Sequence, residues 1–132
     1  MSLALQYGSA FAIFVAVDLI WLGLVAKSFY HRELSALIAD KFNLWAAAAF
    51  YLLYPIGIVV FAAAPASATG SALHAMGLGA ALGFFAYATY DLTNLATLRN
   101  WPLKLTIVDM LWGTFLTALT SGVAFYAGRM GT

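Results

Sequence analysis

Four long apolar stretches dominate the chain: Leu3 to Ala26, Leu44 to Ala64, Leu73 to Leu98 and Leu105 to Gly128. Crossing the hydrocarbon core of a bilayer takes about 20 apolar residues in helical form, so each stretch is long enough for one crossing. Runs of this length read as helices rather than strands. A helix also keeps its backbone hydrogen bonds within one segment, as a bilayer requires. Lys27 closes the first stretch, Pro65 follows the second and Arg99 stops the third. Trp101-Pro102 precedes the fourth, and proline suits the first turn of a helix. The pattern predicts an all-α fold: a four-transmembrane-helix bundle forming a single integral membrane domain over residues 1–132.

The links between the stretches are unequal. Pro65 to Ser71 reads as an uncharged turn, and only Arg99 to Lys104 joins the third stretch to the fourth. The longest link, Lys27 to Asn43, places Phe29, Leu34, Leu37, Ile38 and Phe42 at helical spacing among charged residues. That arrangement predicts a short amphipathic helix in the headgroup plane, between helices 1 and 2.

Composition narrows the class further. The chain is 64% hydrophobic and 8% charged, whereas soluble domains carry roughly a quarter of their residues as charge. A net charge of +1 gives no argument for a nucleic-acid partner or a polybasic lipid anchor. The absence of cysteine excludes disulfides, thiolate catalysis and cysteine-bound metals. No cofactor motif is present, and His31 and His74 fall near opposite membrane faces, so no metal site is expected. The first stretch lacks a basic leading region and contains Asp18, so it reads as a retained helix rather than a secretory signal.

Basic residues set the expected orientation. Lys27, Arg32, Lys41, Arg99 and Lys104 fall on one side and Arg129 on the other. The positive-inside rule assigns the richer side to the cytoplasm, with both termini facing the periplasm or exterior. Tyr7 and Tyr126 then suit an outer aromatic belt, and Tyr30, Trp45 and Trp101 an inner one.

The chemistry lies in three acids within the spans: Asp18, Asp91 and Asp109. An ionised aspartate at a helix centre costs about 2.5–3.5 kcal/mol, so three facing lipid would cost roughly 10 kcal/mol. They must turn inward, pair or stay protonated. Counted from Lys27, Arg99 and Lys104 at 1.5 Å per residue, they lie roughly 13, 12 and 8 Å below the inner rim. Three helices thus deliver a carboxylate to one layer, toward which Arg99 and Lys104 have stems long enough to bend. The second helix brings Tyr51 and Tyr54 to the same depth, followed by Pro55. The third surrounds Asp91 with Tyr90, Thr93 and Asn94. The fourth adds Thr106 and a small or polar stripe through Asp109, Gly113, Thr117 and Thr120 or Ser121. Ala75, Gly79 and Gly83 form a small-xxx-small track suited to close packing, within the chain or between copies.

Val17-Asp18-Leu19-Ile20-Trp21 is echoed by Val108-Asp109-Met110-Leu111-Trp112. Aspartate and tryptophan share a helix face at this spacing. Because the two helices run in opposite senses, Trp112 is expected near Asp18 and Trp21 near Asp109. Each indole N–H then has a carboxylate on a neighbouring helix within reach. An inverted repeat of transporter type is one reading of the echo; coincidence is the other.

Tyr90-Asp91-Leu92-Thr93-Asn94, Trp101-Pro102 and Asp109-Met110-Leu111-Trp112-Gly113 resemble a family of short bacterial predicted membrane proteins of unknown function. Asp18-Leu19-Ile20-Trp21-Leu22 and Phe50-Tyr51-Leu52-Leu53-Tyr54 are similar to the same pattern, so the resemblance covers nearly the whole chain. It implies a four-helix bacterial inner-membrane protein and supplies no activity or cofactor.

The candidate ligand-binding or proton-relay residues are Asp18, Trp21, Tyr51, Tyr54, Tyr90, Asp91, Asn94, Asp109 and Trp112. Polar groups at one depth beneath an apolar cleft suit the head of a lipid or small amphiphile. An enzymatic version, with a protonated Asp18 or Asp109 as general acid acting on a membrane lipid, has no nucleophile, metal set or cofactor motif behind it. Binding is therefore read ahead of catalysis. Two alternatives stay open: a proton-coupled small transporter acting as an oligomer, and an accessory subunit of a larger membrane complex whose polar cluster is structural. Membrane lipids are the expected partners, with a homo-oligomer or larger assembly left open.

Overall fold

The computed structural model describes residues 1–131. Helix α1 (Leu3–Ile20) continues through a π-helical turn, Trp21–Val25, into the short helix α2 (Lys27–Glu33). Helix α3 (Leu44–Ile58) passes through a second π turn, Val59–Ala63, into α4 (Ala64–Thr69). Helices α5 (Ala72–Thr97) and α6 (Leu103–Arg129) complete the bundle. Four spans are long and apolar enough to cross a membrane: Leu3–Val25, Leu44–Thr69, Ala72–Thr97 and Leu103–Arg129. This is an all-α, four-span membrane protein.

Capping residues explain where the helices start. Ser2 Oγ accepts from the Leu5 N–H at 3.2 Å, Asn43 Oδ1 from Ala46 at 3.1 Å and Ser71 Oγ from His74 at 3.1 Å. Each supplies a partner to an N–H that the helix itself leaves unpaired. Gly70, at φ 71°, ends α4, and Asn100, at φ 63°, makes the turn into α6. Both positions need a left-handed backbone that glycine and asparagine tolerate best.

Two expectations about the links need correction. Pro65 does not begin a turn: it lies in the first turn of α4, and the second span runs on to Thr69. A proline ring clashes with the carbonyl four residues earlier, here that of Phe61. The wider π turn just before Pro65 absorbs the conflict. The amphipathic segment also forms less helix than its spacing predicts. Only Lys27–Glu33 is helical, and Leu37 and Phe42 are exposed.

Helices α5 and α6 pack most closely. A Cβ on Gly79 would meet Ser121 and the Thr117 carbonyl at 2.7 Å, and one on Gly83 would strike Thr117 and the Gly113 carbonyl. The small-residue track therefore serves packing within the chain. The Ser121 and Thr120 hydroxyls donate to carbonyls of their own helix, at 2.7 and 2.8 Å. That satisfies them where no water reaches. Phe14, Ile58 and Leu116 make an apolar plug at mid-bundle. Ala10, Val59, Ala63 and Ala124 form a second one toward the end that holds Met1 and Arg129. There, buried Gln6 donates to Ser67 Oγ at 2.9 Å, and the Ser2 N–H donates to the Gly128 carbonyl at 2.9 Å. At the opposite end, which carries α2, the bundle is looser. Residues 44–50 of α3 are all exposed, Trp45 to 89%, and a cleft opens between α3 and α5.

Candidate functional site

The cleft is built from the acidic layer. Asp18 is only 6% exposed. Its Oδ2 accepts from the Tyr51 hydroxyl at 2.6 Å and its Oδ1 from the Trp112 indole N–H at 2.9 Å. A contact of 2.6 Å falls in the range of hydroxyl donors to ionised carboxylates. One donor on each oxygen, from two different helices, fixes the rotamer of Asp18 and ties α1 to α3 and α6.

Asp109 is held differently. It accepts from the Tyr30 hydroxyl at 2.9 Å, and that hydroxyl in turn accepts from the Trp21 indole N–H at 3.3 Å. Trp21 and Trp112 lie face to face, centroids 4.3 Å apart and planes 9° from parallel. The two echoed Asp–Trp segments thus meet head to tail through their indoles. Trp112 reaches the carboxylate of α1 directly, while Trp21 reaches that of α6 through Tyr30. The π turn begins at Trp21, where the Ala26 N–H bonds the Trp21 carbonyl at 2.7 Å. Turns of this kind recur at functional sites because they re-aim the side chains beside them. Burial, and after it the charge of Asp109, holds the Tyr30 phenol well above the usual tyrosine range. Tyr30 therefore stays a hydrogen-bond donor at any ordinary pH.

Asp91 is fully buried, and neither of its oxygens receives a donor from the described residues. Its carboxyl faces that of Asp109. Two acceptors placed this way need a proton between them, because like charges that close cannot both be ionised at modest cost. Asp18 and Asp91 have other carboxyls, not Arg99 or Lys104, as their charged neighbours. The expectation that those two basic residues bend into the layer is therefore not met. A headgroup region offers them water and lipid phosphate, whereas the layer lies within the bundle.

In front of these groups is a cavity of about 480 Å³, lined by Asp18, Leu22, Ala47, Phe50, Tyr51, Tyr54, Ala86, Tyr87, Tyr90 and Asp109. Tyr54 closes its inner end. Its hydroxyl lies 2.9 Å from Thr117 Oγ1, and its ring meets Tyr87 edge-on at 6.3 Å. Tyr87 lies flat against Gly113, where an added Cβ would strike the ring. Phe50 stacks on Tyr54 at 5.3 Å.

Of the sequence-derived candidates, Asp18, Tyr51, Tyr54, Tyr90 and Asp109 line the cavity, and Trp21, Trp112 and Asp91 stand behind the carboxylates that do. Tyr90 sits at the rim, 56% exposed and edge-on to Trp101. Asn94 is a turn further along α5 and does not line the cavity. Two residues were not among the candidates. Tyr87 precedes Asp91 by four and so shares its helix face, a signal the sequence did contain. Tyr30 lies in the connector, and nothing in the spacing shows that α2 folds its hydroxyl back onto Asp109. Tyr7, expected at an outer belt, turns inward to donate to the Leu52 carbonyl at 3.0 Å, three residues before Pro55.

Among the described residues no group of three or more His, Cys, Asp or Glu side chains is placed to hold a metal ion. What the arrangement offers is hydrogen bonding and charge: fixed carboxylates beneath a wall of phenols, open on one side. No curated protein and no solved structure matches the chain. The family comparison does match, and from end to end of the bundle: residues 3–126 fit the profile described as Predicted membrane protein (DUF2177), and the chain belongs to that family.

Proposed function

We propose that this protein binds a membrane amphiphile, taking its polar head into the cleft between α3 and α5 and leaving its tail along the exposed apolar face of α3. One observation carries the reading: a cavity of about 480 Å³ with carboxylates at its floor and an aromatic and aliphatic wall. Sites for small molecules combine a mostly apolar lining with a few convergent polar groups, and this lining has that character. The exposed stretch from residue 44 to 50 favours entry from the side. Binding is favoured over proton transport because the polar groups stay in one layer. Beyond Tyr54 and Thr117 the hydroxyls of α6 bond to their own helix, and the Phe14, Ile58 and Leu116 plug intervenes.

The same reading places the cleft in the cytoplasmic half of a bacterial inner membrane, with both termini outside. Five of the six basic residues lie at the α2 end, in keeping with the positive-inside rule. Cysteine labelling of intact cells at Ser2 and Ser35 tests the topology. A Ser2→Cys variant should react with an impermeant maleimide and a Ser35→Cys variant should not.

Native mass spectrometry of protein purified in mild detergent tests the binding. An amphiphile should remain on the wild type and be lost from Ala47→Trp, which fills the cleft from its exposed wall. If wild type and variant carry the same bulk-lipid profile, the cleft is not a binding site.

A further inference from the structure

We infer that the head group this cleft accepts is a protonated amine; the inference rests on the amphiphile reading and narrows it. Two of the lining side chains are acids, and no lysine, arginine or histidine lines the cavity. The donors already present are neutral: Tyr51 and Trp112 on Asp18, Tyr30 on Asp109. Neutral donors orient a carboxylate without cancelling its charge. Behind Asp109 stands Asp91, fully buried with both oxygens lacking a donor. The site therefore has a surplus of acceptors and negative charge, and what it lacks is a donor-rich cation.

Candidate head groups separate on that basis. A phosphate, sulfate or carboxylate would bring negative charge against Asp18 and Asp109 and find no cation to receive it. A hydroxyl head would make hydrogen bonds but leave the charge uncompensated. An ammonium brings three donors and one positive charge, and charge-assisted hydrogen bonds are roughly twice as strong as neutral ones. The wall adds to the preference, because phenol faces attract cations and Tyr54 and Tyr87 close the inner end of the cavity. The amine has two sources, a simple alkylamine or the aminoethyl end of a zwitterionic phospholipid.

The test is calorimetric titration into protein held in phosphatidylcholine nanodiscs, with empty discs subtracted. Four probes are compared: dodecylamine, dodecanol, dodecanoate and lysophosphatidylethanolamine. Dodecylamine should bind about tenfold or more tighter than dodecanol, dodecanoate should not bind, and Asp109→Asn should remove the preference for the amine. Binding of the lysophospholipid as well identifies a phospholipid head as the source, and its failure beside a bound dodecylamine identifies a simple amine.

Equal affinity for dodecanol and dodecylamine would overturn the amine assignment while leaving the amphiphile reading standing. If no probe binds and no amphiphile co-purifies, the amphiphile reading itself fails. The comparison of amine, alcohol and acid on the wild type decides the matter even if Asp109→Asn does not fold.

Discussion

Removing the Tyr51 hydroxyl tests whether Asp18 sits in the bundle as a charged group. Tyr51→Phe deletes one oxygen and leaves the ring in place, including its edge contact with Phe14 at 6.1 Å. Trp112→Phe is a poorer probe because it also disturbs the stack on Trp21 at 4.3 Å. The hydrogen bond to be lost is 2.6 Å long, and its acceptor is 6% exposed. Hydrogen bonds to charged groups contribute about 1.5–3 kcal/mol, whereas neutral ones between transmembrane helices average about 0.6 kcal/mol. Tyr51→Phe should therefore destabilise the wild type by about 1.5–3 kcal/mol. In an Asp18→Asn background the acceptor is neutral, and the same change should cost about 0.6 kcal/mol. The difference between backgrounds, about 1–2 kcal/mol, is the coupling that a double-mutant cycle isolates. The assay is reversible unfolding of the four proteins in mixed micelles, titrated with dodecyl sulfate and followed by far-ultraviolet circular dichroism. A coupling within about 0.5 kcal/mol of zero, the scatter of independent sites, would refute an ionised Asp18 held by Tyr51.

Three other outcomes follow from the packing and the connector. Gly113→Ala places a methyl group against the Tyr87 ring and should cost about 1–3 kcal/mol as overpacking; an unchanged unfolding midpoint in dodecyl sulfate would show that Tyr87 does not rest there. Tyr30, whose proton is held more tightly in the folded protein than at its unfolded value of 10.0, contributes stability that is full below that value and is lost as pH rises beyond it. Tyr30→Phe should therefore flatten the loss of stability above that value, and identical alkaline unfolding curves would count against the buried contact with Asp109. Asn100→Gly should be nearly neutral and Asn100→Val should cost about 1–2 kcal/mol, since Asn100 alone of the non-glycine residues described has a positive φ and a left-handed backbone penalises side chains by that amount; equal thermal midpoints for the two variants would contradict the turn.

Holding several acids within a bundle has a consequence for how the spans assemble. Asp18 has partners on α3 and α6, and Asp109 has one on α2. Each bond needs a second helix in register, so the layer specifies the arrangement as well as presenting charge. Polar contacts in a membrane core act in this way because a missed partner leaves a polar group in hydrocarbon. Specifying the bundle and binding a ligand are compatible here, since the face of the layer toward α3 remains open.

Four apolar runs broken by Lys27, Pro65, Arg99 and Pro102 determined the class, the number of spans and the presence of a connector segment. Bilayer thickness and the cost of bare backbone in hydrocarbon leave few other solutions for such a pattern. Local arithmetic also placed Asp18, Asp91 and Asp109 at one depth and predicted that Trp112 would meet Asp18, because rise per residue and the antiparallel sense of two helices are fixed quantities. Rotation of each helix about its axis, and the path of the chain outside the spans, belong to tertiary structure. They decided that Tyr30 returns to Asp109, that Tyr87 lies on Gly113 and that Asn94 falls outside the cleft. They also decided that α4 runs past Pro65 and that the first half of α3 stands away from α5. Hydropathy is nearly uniform around these helices, so the sequence holds little information about which face turns inward. Side-chain volumes and hydrogen bonds between helices settle it only when all four spans are together.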